Sequence, residues 1–370
     1  MSAVPTLAAV TLDEHGGGIA AASRLIWRVM GEAWGWRRQL VTLDPLPKSG
    51  RPSFRQRVQF GVRLASLQAA QPNGWVLFTH LGLARAETFL PPAVRRPYAI
   101  FLHGIEAWRP LNERERQVLR GASLRLANSR YTARRVALAN PDIGPIECCP
   151  LALDCEPTAF RPPLDIELRR AMGSSAVLLV GRMSAAERYK GHDALLEAWP
   201  RVLSSQPDAR LVLVGDGDDR GRLVAKSQAL GIASHVVFPG FLSADALASL
   251  YGEAAVFAMP SRGEGFGLVY LEAMAHGLPC IGSTHDAAGE VIEDGVTGFL
   301  VDQDDQDRLA RLLTDVLGNE AARRRMGDAG RARVRECFSY RQFADRFLEL
   351  IRPAFAEESL ALTAASSPTD

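Results

Sequence analysis

No stretch of this 370-residue chain stays apolar for about 18 consecutive residues, so no segment reads as a transmembrane helix. Cysteine is scarce. The five present, Cys148, Cys149, Cys155, Cys280 and Cys337, are odd in number and lack C-x-x-C or metal spacing. They give no disulfide framework and fit a reduced, cytoplasmic compartment. The start, Met1–Ser2–Ala3–Val4–Pro5–Thr6–Leu7, lacks the basic region of a secretory signal and reads as a first strand. No His/Asp/Glu cluster has metal-ligand spacing, and no D-x-D pair sits beside a strand end in the first half. Asp216–Gly217–Asp218 has that spacing but lies in the second half, so no catalytic divalent ion is expected.

What is present is an ordinary globular composition, 47% apolar and 23% charged, at a length that suits two domains better than one. The formal net charge of +1 hides an uneven division: residues 1–150 hold 20 Lys+Arg against 10 Asp+Glu, and the remainder 23 against 32. Halves of opposite sign are set to meet different partners. The basic residues gather between Arg51 and Arg63, with Arg37, Arg38, Arg95 and Arg96 in addition. Phe54, Val58 and Val62 recur every four residues there, among Arg55 and Arg57. Such an amphipathic helix can lie on anionic lipid, or it can be a solvated helix packed by its apolar face; both readings stand.

Short apolar runs alternate with amphipathic stretches. In the first half the candidate strands are Leu7–Leu12, Leu40–Leu43, Trp75–Thr79, Tyr98–Leu102, Leu124–Asn128 and Ile146–Cys149. Between the first two, Ile19–Trp34 reads as a helix with Ile19, Ala22, Ile26 and Met30 on one face. The rhythm restarts after a proline-bearing stretch from Cys149 to Pro163. Strands then follow at Ala176–Val180, Leu211–Val214, Val236–Phe238, Ala254–Met259, Pro279–Gly282 and Phe299–Val301. This alternation predicts two doubly wound α/β domains, each a parallel sheet covered on both faces, with a hinge near 155–170. From Gln303 the chain reads helical and charged, and its polar end, Ala364 to Asp370, as disordered.

The densest chemistry lies between Pro260 and Pro279. Glu264 falls in a Gly-rich loop after an apolar strand, and Glu272 lies about one turn into the helix that follows, which Gly277 and Pro279 stop. Gly265 and Gly267 let backbone approach a ligand, and the N–H groups of Phe266–Leu268 open the helix toward anionic oxygen. Two carboxylates flanking a phosphate-type junction describe a site for a nucleotide sugar: Glu264 for sugar hydroxyls, Glu272 for a ribose diol. Arg182 closes another strand, and Lys190 opens the helix after it; a planar fork and a point charge together suit a diphosphate. Gly215 and Gly217 at a third strand end fit a ligand loop and a plain turn equally. Phe238, in Val237–Phe238–Pro239–Gly240, can wall a nucleobase or simply fill core. In the first half, Gly16, Gly17 and Gly18 after His15 leave room for a second molecule. His103 at a strand end, before Gly104, can bond a sugar hydroxyl or move a proton, with His80 at another strand end as a weaker candidate.

Together these residues resemble the retaining glycosyltransferases of family 4, glycosyl transferases group 1, of exopolysaccharide type. The resemblance is carried by Glu264 and Glu272 as E-x7-E, by Gly181–Arg182 with Lys190–Gly191–His192, and by Gly295–Val296–Thr297–Gly298–Phe299–Leu300–Val301. His103–Gly104–Ile105–Glu106–Ala107–Trp108 and Asn128–Ser129–Arg130–Tyr131–Thr132 are similar to first-domain motifs of the same family. The resemblance implies the GT-B fold, two Rossmann-like domains facing across a cleft. It places an acceptor-binding domain at 1–160, a donor-binding domain at 161–338, a helix crossing back to the first domain at 339–356 and a disordered tail at 357–370. It implies metal-independent transfer, with retention, of a hexose from GDP-mannose or UDP-glucose to a lipid-linked saccharide at the inner face of a membrane. No cofactor and no nucleic acid are implied. Glu264 would meet the donor sugar, Glu272 the ribose, Arg182 and Lys190 the diphosphate; His103 and Gly16–Gly18 would serve the acceptor side. Two departures are visible. Leu151–Ala152–Leu153–Asp154 stands where Asn-Gly-Val-Asp is frequent, and the inserted Ala185–Tyr189 shifts Lys190 and makes Arg188 its rival. A GT-B epimerase and a non-catalytic nucleotide-sugar binder are the alternative functions.

Overall fold

In the computed structural model, residues 4–14, 16–45, 52–154 and 162–364 are described, from 356 as backbone alone. His15, Arg51, Cys155, the first half of the expected hinge and the tail past 364 lie outside the described residues. Each apolar run forms a strand. The first unit carries β1 (Pro5–Ala9), β2 (Gln39–Thr42), β3 (Trp75–Phe78), β4 (Tyr98–Leu102), β5 (Leu124–Ala127) and β6 (Glu147–Cys148). The second carries β7 (Ala176–Val180), β8 (Arg210–Val214), β9 (Val236–Gly240), β10 (Val256–Ala258), β11 (Cys280–Ser283) and β12 (Gly298–Val301). Every pairing is parallel. A parallel sheet must be covered on both faces, which is why the strands read as unbroken apolar runs rather than alternating ones. All five residues of β1 are buried, as are four of the five in β7.

The sheet orders are β2-β1-β3-β4-β5-β6 and β12-β11-β10-β7-β8-β9. Each reverses its direction of growth once, between β1 and β3 in the first sheet and between β7 and β10 in the second. Doubly wound sheets bind ligands outside the carboxyl ends of the strands at this reversal. Residues 1–152 and 340–370 form one compact unit, and Leu153–Ser339 the other. The helix Tyr340–Ala364 therefore belongs to the first unit. There Phe343, Phe347 and Ile351 are fully buried, and Phe355 stacks on Trp75 with ring centroids 4.4 Å apart. Each such side chain removed from water contributes about 2 kcal/mol.

Three expectations change. The crossing helix, expected at 339–356 before a disordered tail, continues as helical backbone to Ala364. The helix Phe54–Ala70 does not pack by its Phe54/Val58/Val62 face. Those side chains are 83%, 48% and 61% exposed, and the helix docks instead through Phe60, Leu64 and Gln68. Lys190 does not open a helix: it ends the 3₁₀ turn Ala185–Lys190, and the helix His192–Ser205 starts after Gly191.

Candidate active site

Most of the described helices begin with a side-chain cap, supplied by Ser53, Asn112, Ser129, Asp165, Ser243, Asp305 and Asn319 among others. Among the described helices three begin instead with a glycine N-cap and no side-chain hydrogen bond: Gly17–Trp34, His192–Ser205 and Leu268–Ala275. They follow β1, β7 and β10, the strands at the two reversals. A helix start without a side-chain cap offers its first N–H groups and the positive end of its dipole to an anion.

In the second unit the loops after β7 and β10 are bonded to each other. Arg262 N–H donates to Tyr189 O at 2.9 Å, which brings Lys190 Nζ to 3.5 Å from Glu264 Oε2. Glu187 lies 3.9 Å from the same ammonium and pairs with Arg182 through its other oxygen. Arg182 is largely exposed, whereas Lys190 and Glu264 are mostly enclosed. Arg188, the rival cation, is turned onto Asp219 with bonds of 2.7 and 3.1 Å, in a network with Arg222 and Asp193. Lys190 thus stands beside Glu264, and Arg188 does not. Gly267 sits at φ +92°, and a Cβ there would come within 2.3 Å of the Tyr270 ring, so only glycine allows this turn. Phe266 is buried edge-on against Phe338, so it presents backbone rather than side chain.

Glu272 sits apart from the cations. Its Oε2 accepts from the Tyr251 hydroxyl at 2.9 Å, and the Tyr251 ring stacks on His276. Burial raises the Glu272 carboxyl above its ordinary value, with the Tyr251 bond pulling the other way. Phe238 is half-buried in β9, with the Arg220 guanidinium 5.9 Å from its ring centre and bonded to its carbonyl. Gly215 and Gly217 have a packing reason: a Cβ at either would strike Gly181 O at 2.1 Å or Met183 O at 2.3 Å. Their turn is pressed against the end of β7.

Sequence reading missed Tyr251 and Asp286. Asp286 follows β11, is 7% exposed, and accepts from Glu264 N–H at 3.2 Å and Ala288 N–H at 2.9 Å. Burial pushes its carboxyl up to about 7, and the Glu264 charge adds to that. The available signal was position: Asp286 stands past the carboxyl end of the strand next to β10.

In the first unit the site carries less charge. At Gly17 and Gly18 an added Cβ would meet nothing within 4 Å, whereas at Gly16 it would strike Ala20 Cβ at 2.5 Å, so the expected room is at Gly17 and Gly18 and not at Gly16. Ser23, on the helix that these glycines open, donates to Thr79 Oγ1 at 2.9 Å, and His103 Nε2 is 2.9 Å from Thr79 O. A carbonyl only accepts, so Nε2 carries the proton there and Nδ1 keeps its lone pair. Glu106 accepts from His103 N–H at 2.6 Å, and Asn128 donates to His103 O at 2.9 Å. Burial outweighs the Glu106 charge and holds the imidazole below its ordinary value. His80 caps the short helix Leu81–Ala84, its Nδ1 accepting from Gly82 N–H at 2.9 Å. Among the described residues no group of three or more His, Cys, Asp or Glu is gathered as a metal-ligand set, and no described helix is long and apolar enough to cross a membrane.

The family model for glycosyl transferases group 1 matches residues 166–333. A GDP-mannose-dependent alpha-(1-6)-phosphatidylinositol monomannoside mannosyltransferase of Mycolicibacterium smegmatis is 34% identical over 230 residues, 60% of each chain. This chain's match thus spans 60% of that relative's length. The same-named Mycobacterium tuberculosis enzyme is 31% identical over 261 residues, 68% of each chain. Among solved structures, Anabaena HepE in complex with UDP superposes with a TM-score of 0.71 at 18% identity, over 94% of this chain and 99% of that one. This likeness shows the fold, a pair of Rossmann-like domains of the GT-B kind. With the second unit matched by the family model and more than two thirds of a relative aligned at that identity, the chain belongs to the glycosyl transferases group 1.

Proposed function

We propose that this protein moves a hexose from a nucleotide-diphosphate sugar to a lipid-linked saccharide, with retention at the sugar carbon and without a metal. The observation that carries the reading is the pairing of Lys190 with Glu264 at 3.5 Å beside a glycine-capped helix start, at the sheet's reversal point. Donor diphosphate lies against Arg182, Lys190 and the first N–H groups of Leu268–Ala275. When the bond from the sugar carbon to phosphate oxygen breaks, the oxygen keeps the electron pair, and these positive groups stabilise it. The acceptor hydroxyl attacks from the same face and passes its proton to the departing phosphate. Glu264 holds sugar hydroxyls and needs no covalent bond to carbon; Glu272, fixed by Tyr251, takes the ribose.

The names of the relatives favour GDP-mannose over UDP-glucose as donor, and a glycolipid as acceptor in the building of a surface glycan or exopolysaccharide. The exposed Phe54/Val58/Val62 row supports peripheral contact with an anionic inner membrane surface, because Arg55, Arg57 and Arg63 lie exposed beside it. Thermal-shift screening of GDP, UDP and their sugars, followed by transfer assays with a mannosylated phosphatidylinositol in vesicles, tests the reading. A specific rise in melting temperature with GDP and GDP-mannose, and sugar transfer to lipid, are expected. Turnover of the donor at full rate without acceptor, or none with any nucleotide sugar, would overturn it.

A further inference from the structure

Glu264 lies in a loop of glycines, and glycine-rich backbone does not hold a side chain in place by itself. Its neighbours show what does. Glu264 N–H donates to Asp286 Oδ2 at 3.2 Å, and Ala287 N–H donates to Glu264 O at 3.1 Å. Two consecutive residues beyond β11 thus clasp both backbone polar groups of one residue, 22 positions earlier in the chain. The second Asp286 oxygen is taken by Ala288 N–H at 2.9 Å, and the Ser261 hydroxyl also bonds this carboxyl. Ser261, fully buried, in turn accepts from Gly263 N–H at 3.1 Å. A carboxylate buried this deeply is costly to keep, and a carboxylate accepting backbone N–H is a stronger tether than a neutral oxygen.

We propose that Asp286 is the positioning residue for Glu264: its carboxylate fixes the backbone from which Glu264 reaches the donor sugar. The inference rests on Glu264 facing that sugar. A side chain displaced by about 1 Å from its productive place can lose roughly 100-fold in rate, while binding elsewhere in the site is untouched. The bonds of Asp286 run to Glu264, Ala288 and Ser261 and not to the first N–H groups of Leu268–Ala275, so its loss acts on turnover rather than on nucleotide affinity.

The test is Asp286→Asn. Its amide oxygen can keep one of the two N–H groups, and its NH₂ group then opposes the other, Glu264 N–H or Ala288 N–H, so the clasp loses a bond and gains a clash of donors in either orientation. We expect kcat to fall by about 30-fold, with KM for the nucleotide sugar and Kd for the free nucleoside diphosphate within about threefold of wild type. An unchanged kcat, or a loss carried in nucleotide affinity, would overturn the proposal. Should Asp286→Asn not fold, Ser261→Ala decides: it frees one side of the same carboxylate in a small buried site, and a several-fold fall in kcat at constant KM is expected. Full kcat in Ser261→Ala would then overturn it. Glu264→Gln separates the premise from the inference, because full activity in that variant removes the catalytic reading of Glu264 itself, and the proposal with it.

Discussion

The two reversal points are built alike in backbone and unlike in chemistry. Both put a glycine-capped helix after a reversal strand. In the second unit the opening is ringed by ions: Arg182, Glu187, Lys190 and Glu264, with buried Asp286 behind. In the first the groups are mostly uncharged: Gly17, Gly18, Thr79, Ser23 and an imidazole held below its ordinary value, with the Glu106 carboxylate on the His103 backbone N–H. Preset charge suits a ligand whose charge never varies, such as a diphosphate. Mostly uncharged donors and acceptors with open space at Gly17 and Gly18 suit a hydroxyl-bearing molecule. On the proposed function, the contrast is between a site for the constant part of a donor and a site for a variable partner.

The strongest way to break that contrast is Glu264→Gln, expected to lower transfer by about 10³-fold in kcat. Radiolabelled transfer at saturating donor measures it, and an effect under tenfold would remove the carboxylate from the reaction. Next comes Lys190→Ala set against Arg188→Ala. The first should lose about 100-fold in kcat/KM and much of the preference for diphosphate over monophosphate in calorimetry; the second should stay within about threefold. Equal losses would dissolve the distinction drawn from the Asp219 pairing.

His103→Asn sharpens the less charged side. We expect transfer to fall by about 30-fold while affinity for the nucleoside diphosphate holds. The wild-type pH profile should agree. Protonating His103 removes its Nδ1 lone pair, and burial lowers its pKa, so the His103 step lies below the ordinary histidine value of 6.5, separate from a step near 7 where the Asp286 carboxyl takes up its proton. The lower step should vanish in His103→Asn while the step near 7 stays; a lower step retained in the variant would assign it elsewhere. Smallest is the double change Arg55→Glu with Arg57→Glu. Partition onto anionic vesicles should weaken by about tenfold, with turnover on a short-chain soluble acceptor unchanged. Equal sedimentation of both proteins with vesicles would free the Phe54/Val58/Val62 row for another role.

The fold was legible because a strand buried on both faces leaves an apolar run that nothing else in the chain imitates. Tyr98–Leu102 and Ala176–Val180 needed no adjustment, and the other strand ends moved by a few residues. The largest shift is at the first strand, expected at Leu7–Leu12 and formed by Pro5–Ala9; Ala254–Met259 contracts to Val256–Ala258 before Pro260, and Val236–Phe238 extends to Gly240 through an irregular register with β8. Residues carried by one local motif, such as Glu264 and Glu272, were also legible. Asp286 and Tyr251 were not, because their meaning lies in what faces them: a backbone N–H 22 positions away and a carboxylate 21 positions away. The apolar face of Phe54–Ala70 failed for a related reason. Helical spacing gives two apolar rows, Phe54/Val58/Val62 and Phe60/Leu64, and only the neighbouring elements decide which is covered.

The return of the Tyr340–Ala364 helix has a consequence for how the molecule is made. Trp75 and its neighbours leave the ribosome long before Phe343, Phe347, Ile351 and Phe355 exist to cover them. The first unit is thus the first to be synthesised and the last to be completed. It must wait, with part of its apolar surface open, until the whole second unit has been translated. A chain cut short anywhere in that half yields no finished first unit, so the two halves are inherited as one folding event rather than as exchangeable modules.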